Sequence, residues 1–178
     1  MSLEVTARGI YGGLWALPRP LTSHWGQGRE LIERLERIFG HVEVAFGKQD
    51  QIAGFTVDRD ESVAPSVVAD WSAMPFRDEA FGHGYWDPPY LGRVGERGDV
   101  HYNRLDGCLR EIGRVLSWRL SILAPLIYPC PQGWTRRAVI GVTYGPNKVI
   151  RALQVFDRSQ QASLPLPMPA NAPALEGA

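Results

Sequence analysis

The tetrapeptide Asp87-Pro88-Pro89-Tyr90 carries the most specialised chemistry in this sequence. Two consecutive prolines fix φ at both positions and remove two backbone donors, which leaves a stiff segment with carbonyl acceptors. Such a segment suits a planar nitrogen heterocycle that carries an exocyclic amine. The amine would donate to Asp87 and to the Pro88 carbonyl, while Tyr90 stacks on the ring. The alternative is a Pro-Pro turn that buries a tyrosine.

Two other aspartates, Asp58 and Asp70, each follow a short apolar run. In open α/β sheets, ligands bind beyond the carboxyl ends of the strands. We therefore expect Asp58, Asp70 and Asp87 to line one crevice, where a carboxylate can accept hydrogen bonds from ribose hydroxyls. The alternatives are local: Asp58 and Asp70 can cap the turns that follow them, and Asp60 competes with Asp58 for the ribose.

Hydrophobic periodicity predicts the elements that position these residues. Apolar residues recur at helical spacing over residues 29–39 and again over 102–118, which indicates two amphipathic helices. Short β-branched runs predict strands, whereas residues 72–84 are predicted to be loop and turn. The predicted strands are residues 41–47, 54–60, 63–70 and 119–129, followed by a hairpin that joins 138–144 to 149–156. This order predicts an α/β fold with an open, mostly parallel sheet and a C-terminal antiparallel hairpin.

The length of 178 residues indicates one domain, which we place at residues 29–158. Residues 1–28 are predicted to be an irregular arm, and the Pro/Ala-rich residues 159–178 a disordered tail. No apolar run is long enough for a membrane helix, and the N-terminus lacks a signal-peptide pattern. We therefore expect a cytoplasmic protein without a membrane partner.

Charge is balanced overall but unevenly distributed. The 19 basic and 19 acidic residues exclude binding of nucleic acid by bulk charge alone. Residues 110–158, however, contain 8 basic and 2 acidic residues, so this half can meet phosphate or can present solvated arginines. Cys108 and Cys130 are expected to be reduced thiols. They do not combine with the histidines at metal-ligand spacing, so we predict no metal.

The tetrapeptide at residues 87–90, in this context, resembles motif IV of the S-adenosylmethionine-dependent amino-methyltransferases, above all the DNA adenine-N6 methyltransferases. The resemblance covers residues 41–158 and implies their Rossmann-like fold, in which a terminal hairpin supplies an antiparallel last strand. It implies a catalytic role for Asp87, Pro88, Pro89 and Tyr90. It also implies S-adenosyl-L-methionine as the cofactor, held by Phe46, Gly47, Asp58, Asp70 and Trp71.

Within that resemblance, Phe46 and Gly47 begin the cofactor loop, Asp58 binds the ribose, Asp70 the adenine amine, and Trp71 lies beside the adenine ring. The loop is shortened, because only the eight residues 47–54 separate the first two predicted strands. A parallel crossover ordinarily needs about a dozen residues or more.

The implied function is methyl transfer to the exocyclic amine of a base, above all adenine N6 in DNA. Tyr90 would hold the base after it leaves the stack. Arg93 and Arg97, in the glycine-rich stretch that follows, would bind the flanking phosphates. The alternatives are a methyltransferase of RNA, protein or a small nucleotide, and an inactive methyltransferase-like binding module.

Overall fold

The described part of this computed structural model covers residues 4–5, 11–17, 29–47, 54–88, 102–144 and 150–159, and it contains one sheet and two α-helices. The helices are α1 (Arg29–Phe39) and α2 (Tyr102–Val115). The strands are β1 (Glu4–Val5), β2 (Tyr11–Leu17), β3 (Val44–Phe46), β4 (Phe55–Asp58), β5 (Val67–Val68), β6 (Phe81–Trp86), β7 (Leu116–Ala124), β8 (Trp134–Tyr144) and β9 (Arg151–Arg158). Neither described helix has the length and hydropathy that crossing a bilayer requires.

The nine strands lie in the order β1-β2-β8-β9-β7-β6-β3-β4-β5. Strands β3 to β7 are parallel to their neighbours within that group, and β9 runs antiparallel between β7 and β8. The predicted fold class is therefore confirmed: the protein is α/β, with an open, mostly parallel sheet and a C-terminal antiparallel hairpin. The chain builds β4 and β5 on one side of β3, then returns to place β6 on the other side. That reversal is the switch point of the sheet.

Helix α1 covers one face of the sheet, as its apolar stripe predicts. Leu31, Leu35 and Phe39 are buried there against Tyr85 of β6 and other strand residues. Gly40 follows the last helical residue, and its φ of +93° is a left-handed conformation that favours glycine. The N–H of Gly40 still donates to the last turn of the helix.

Helix α2 covers the opposite face and leads into β7 without a linker. Cys108 packs with Ile112 and with Trp86 of β6. The sequence predicted that the helix extends through residue 118, and this was wrong, because β7 already begins at Leu116. Leu116 pairs with Phe81 of β6 and is fully buried, so sheet pairing prevails over helical propensity at this position.

The prediction of loop and turn over residues 72–84 is wrong at its C-terminal end, since β6 is a central strand. The two glycines of β6, Gly82 and Gly84, give the segment a low strand propensity, so the sequence did not predict a strand here. A Cβ built at Gly84 would lie 2.8 Å from the Leu116 side chain and 2.9 Å from the Phe46 ring. One built at Gly82 would lie 2.6 Å from the Trp118 indole nitrogen. Close packing therefore requires glycine here despite its low strand propensity.

The N-terminal arm is also not irregular throughout. Strand β2 pairs in parallel with β8 along its whole length, and Trp15 and Leu17 are buried on the α1 face. This segment therefore belongs to the sheet of the domain. Residues 4–5 of the arm form β1, which pairs with β2. The other residues of the arm and the tail beyond Ser159 lie outside the described residues, so the predictions for them remain predictions.

A buried histidine links the C-terminus of α1 to the sheet. His83 of β6 donates through Nδ1 to the Gly40 carbonyl at 3.0 Å and accepts at Nε2 from the Ser121 hydroxyl at 2.8 Å. Burial, followed by the nearby positive charge of Arg119, lowers the pKa of His83 to about 3. His83 is therefore a neutral structural group.

Candidate functional site

The residues that follow β3, β4 and β6 meet at one edge of the sheet. Phe46, the last residue of β3, pairs with Val57 of β4 and with Trp86 of β6. Gly47, the next residue, therefore lies between the end of β4 and Asp87, which follows β6. This is the carboxyl edge at the switch point, where open α/β sheets bind their ligands. We call this group of residues the switch-point site: Gly47, Asp58, Trp71 and Asp87.

Gly47 lies between the backbone of the proline motif and an aromatic ring. Its φ of +119° is a conformation that residues with side chains rarely adopt. A Cβ at this position would lie 3.8 Å from the Asp87 carbonyl oxygen and 3.8 Å from Cζ2 of Trp71. Gly47 is itself buried, and a Cβ at this position would be in ordinary van der Waals contact with both groups.

Trp71 is fixed over this edge by a hydrogen bond and by ring packing. Its Nε1 donates to the Val57 carbonyl at 2.9 Å. Its ring meets Trp86 edge to face, with centroids 6.2 Å apart and planes at 81°. The half-buried indole therefore presents an oriented apolar surface beside Gly47.

The structure distinguishes the two aspartates that compete at the end of β4. Asp58 Oδ1 accepts from the Asp60 backbone N–H at 2.9 Å, and no described residue bonds to its other oxygen. Asp60 caps the 3-10 helix Glu61–Val63, since its Oδ1 accepts from both the backbone and the hydroxyl of Ser62. Asp58 therefore also makes the local cap that the sequence offered as its alternative, and its second oxygen is the acceptor that it could offer to a ligand.

Asp70 adopts the local arrangement that the sequence offered as its alternative. Its Oδ1 accepts from the Ser72 backbone N–H at 2.8 Å and from the Ser72 hydroxyl at 2.6 Å. The residue is exposed. These bonds orient the carboxylate, and its role toward an adenine amine remains a prediction.

Asp87 stands beside an arginine that the sequence did not single out. Its Oδ1 lies 3.8 Å from Nη1 of Arg151, and the two side chains are only 11% and 19% exposed. Pro88 is buried.

Four further predicted site residues lie outside the described residues, and their roles remain predictions: Pro89, Tyr90, Arg93 and Arg97.

The segment that carries Trp71 is anchored to α2 by an ionic cluster. Glu111 Oε1 accepts from the Met74 backbone N–H at 2.9 Å and pairs with Arg114 at 2.7 Å. Arg114 also pairs with Asp78 at 2.6 Å. The hydrogen bond from Arg114 lowers the pKa of Glu111, and the hydrogen bonds to Glu111 and Asp78 raise the pKa of Arg114. The sequence indicates only the Glu111–Arg114 pair, by its helical spacing.

The basic residues of the C-terminal half are largely engaged within the chain. Five arginines form ion pairs with carboxylates: Arg114 with Asp78 and Glu111, Arg119 and Arg137 with Asp157, Arg151 with Asp87, and Arg158 with Glu79. Internal neutralisation therefore accounts for much of the charge excess in that half, and free solvated arginines are the exception there.

A cavity of about 630 Å³ lies between α2 and the segment 129–134, apart from the switch-point site. Arg110, Arg114, Trp134 and Arg158 are among its lining residues, and none of the predicted site residues lines it. Since Arg114 and Arg158 already donate to carboxylates, this cavity is not our candidate for the functional site.

Comparison with known proteins gives a structural likeness but no assignment. No protein-family model and no curated protein matches the sequence. The fold is similar to the crystal structure of a candidate methylase from Haemophilus influenzae, with a TM-score of 0.43 and 13% identity. The alignment covers 80% of this chain and 91% of that chain. A likeness at this level assigns neither a family nor an activity.

Proposed function

We propose that this protein is an S-adenosylmethionine-dependent N-methyltransferase that acts on the exocyclic amine of a base, with adenine N6 in DNA as the first candidate. The observation that supports this proposal is the position of Asp87. This acid begins the Pro-Pro motif at the switch point, and its backbone carbonyl lies beside the Gly47 position. An acceptor-binding acid and a candidate cofactor loop thus meet at one edge.

The described residues fit the cofactor in their hydrogen-bonding capacity. Asp58 offers a carboxylate oxygen to ribose hydroxyls. Trp71 offers a fixed ring surface for an adenine. When bound, S-adenosylmethionine supplies the electrophilic methyl group.

Asp87 and the Pro88 carbonyl would orient the acceptor nitrogen. The amine donates its two hydrogens to these oxygens, which directs the nitrogen lone pair toward the methyl carbon. As the N–C bond forms and the C–S bond breaks, positive charge develops on the nitrogen. A carboxylate fixed beside that nitrogen stabilises the charge. The nitrogen then loses one proton to solvent and is neutral again.

The primary test is a titration of the purified protein with S-adenosylmethionine, followed by a methyl-transfer assay with labelled cofactor. Adenine-containing DNA, RNA and free adenosine nucleotides are compared as acceptors. We expect saturable cofactor binding and transfer to adenine N6 in DNA. Cofactor binding with transfer only to another acceptor would keep the enzyme class and reject the DNA assignment.

The nucleic-acid partner is tested separately through the salt dependence of binding. If Arg93 and Arg97 bind phosphates, replacing both by alanine weakens binding to all sequences alike. The slope of log K against log salt then falls by roughly one to two, because each lost phosphate contact removes ~0.7–0.9. An unchanged slope with transfer to a small nucleotide intact would indicate a small-molecule acceptor.

One observation favours a second candidate function, that of an inactive binding module. The eight residues 47–54 that join β3 to β4 are fewer than an ordinary helical crossover requires. Such a module would bind the acceptor but not S-adenosylmethionine. Nucleotide binding without any cofactor binding would therefore select this candidate over the enzyme.

A further inference from the structure

Arg151 and Asp87 share one corner of the switch-point edge. Ala152, the next residue of β9, pairs with Ala124 at the carboxyl end of β7, so Arg151 lies at the edge where β6 ends. Arg151 is opposite Val142, whose side chain is buried on the α1 face. The guanidinium and the Asp87 carboxylate therefore meet above the α1 side of the sheet, where the acceptor would have to reach Asp87.

The separation of these two groups permits attraction without a direct hydrogen bond. At 3.8 Å, Nη1 and Oδ1 exceed the usual N–H···O range of 2.7–3.2 Å. Both side chains are at least four-fifths buried, so solvent screens their charges only partly. Arg151 thus offsets the charge of Asp87 through a contact that is longer than a direct hydrogen bond.

The positive charge of Arg151 beside Asp87 is unfavourable for the reaction proposed for Asp87. Methyl transfer develops positive charge on the acceptor nitrogen, and a second cation beside the same carboxylate weakens its stabilising effect. An anionic group on the acceptor would attract the guanidinium away from Asp87, so that the carboxylate could stabilise the positive charge on the nitrogen. Guanidinium binds phosphate oxygens bidentately, with a fixed planar array of donors.

We infer that Arg151 binds a phosphoryl group of the acceptor and so selects phosphorylated acceptors over neutral nucleosides. This inference rests on the proposed function, because it concerns the acceptor side of the same site. The phosphoryl group can belong to a free nucleotide or to a nucleic-acid backbone. In both cases Arg151 moves from Asp87 to the phosphate, which removes the charge of the guanidinium from the carboxylate that faces the amine.

The experiment measures the binding of three acceptors: deoxyadenosine, its 5′-monophosphate, and a short adenine-containing single strand. The variants are Arg151→Gln, Arg151→Lys and the control Arg37→Gln. Arg37 is an exposed residue of the last turn of α1 and forms no described ion pair. Titration calorimetry gives the dissociation constants, and circular dichroism establishes that each variant is folded.

We expect Arg151→Gln to weaken binding of the phosphorylated acceptors about tenfold and to leave deoxyadenosine binding nearly unchanged. Arg151→Lys, which keeps the charge but not the planar array of donors, should give an intermediate loss. Arg37→Gln should resemble the wild type. Loss with the monophosphate alone identifies a free nucleotide as the source, whereas loss with the single strand identifies backbone phosphate.

Equal changes for all three acceptors, or no change for any, would overturn the inference. So would a wild type that binds the monophosphate no better than the nucleoside. The proposed function fails by a different result, namely the absence of S-adenosylmethionine binding and methyl transfer. A selective loss of phosphate binding in Arg151→Gln would then still stand as an acceptor-site result.

Discussion

Arg119 and Asp157 form an ion pair inside the sheet, with Nε of the arginine 2.6 Å from Oδ1 of the aspartate. Their side chains are only 7% and 6% exposed. Arg119 also donates to the Phe39 carbonyl at the end of α1, and its guanidinium lies 4.2 Å from the centroid of the Trp118 ring. One side chain therefore joins β7, β9 and the C-terminus of α1.

Removing one member of this pair should destabilise the protein strongly. Asp157→Ala leaves a buried guanidinium without its main counter-charge, which costs about 3–5 kcal/mol. The matched control is Asp78→Ala, which also removes a carboxylate from an arginine but at a side chain that is 78% exposed. That change should cost about 0–1 kcal/mol. Urea denaturation monitored by tryptophan fluorescence compares the two, and similar losses would contradict the structural role of the buried pair.

The buried histidine should make stability depend on pH. Its pKa in the folded state is about 3, against an ordinary value of 6.5, so between those values the unfolded state binds more protons. The stabilisation that neutral His83 provides is complete above pH 6.5 and is lost progressively as pH falls toward 3. Unfolding free energies measured across that range should decline toward acid, and the decline should be shallower in His83→Gln. A variant with the same slope as the wild type would show that other groups control the dependence.

The two glycines Gly84 and Gly107 should respond in opposite ways to alanine. Gly84→Ala forces a Cβ to within 2.9 Å of both Leu116 and Phe46, so we expect destabilisation of about 1–3 kcal/mol. At Gly107 of α2 the nearest described atom outside the helix, Cβ of Ser72, is 4.0 Å from a new Cβ. Gly107→Ala should therefore stabilise the protein by up to about 1 kcal/mol through helix propensity. Thermal unfolding of the two variants tests this, and a stabilising Gly84→Ala would refute the packing explanation for β6.

Most elements were accessible from the sequence because their residues repeat at the period of the structure they form. The α1 stripe of Leu31, Ile32, Leu35 and Ile38 and the alternation in the terminal hairpin are of this kind. Strand β6 was not accessible, since the reason for its glycines is a set of side chains that arrive from β3 and β7. Strand β2 could not be predicted either, because it pairs with β8, which is more than 100 residues away in the sequence.

Asp87→Ala should separate catalysis from cofactor binding. Asp87 is assigned to the acceptor amine, so its loss should lower kcat by about 10- to 150-fold, as expected for one charge-assisted hydrogen bond of about 1.5–3 kcal/mol. The affinity for S-adenosylmethionine should be nearly unchanged. A methyl-transfer assay run beside calorimetry measures both quantities. Full activity in the variant would remove Asp87 from the reaction.

Asp58 and Asp60 provide a matched test of the cofactor side. Asp58→Ala should weaken cofactor binding, because it removes the available carboxylate at the end of β4. Asp60→Ala should mainly lower stability, by about 0.5–2 kcal/mol, because Asp60 serves as an N-cap. The opposite pattern of affinities would place the ribose site two residues farther along the chain.

The acids at the strand ends could be predicted because an aspartate that directly follows an apolar run is a pattern of the sequence itself. Arg151 was not, since nothing in the sequence near residue 151 indicates that β9 inserts between β7 and β8 and brings it to Asp87. Charge partners joined across strands depend on strand order, and strand order is a property of the assembled sheet.

The parallel pairing of β2 with β8 affects how the chain can fold during synthesis. Strand β2 is synthesised well before its register partners, which begin at Ala138, so of its two neighbours in the sheet only β1 is present at first. Contacts between distant parts of a chain form slowly, and an open strand edge invites pairing with other molecules. The half of the sheet that contains β2 is therefore expected to close late, and until then β2 is the segment most exposed to misassembly and to chaperone capture.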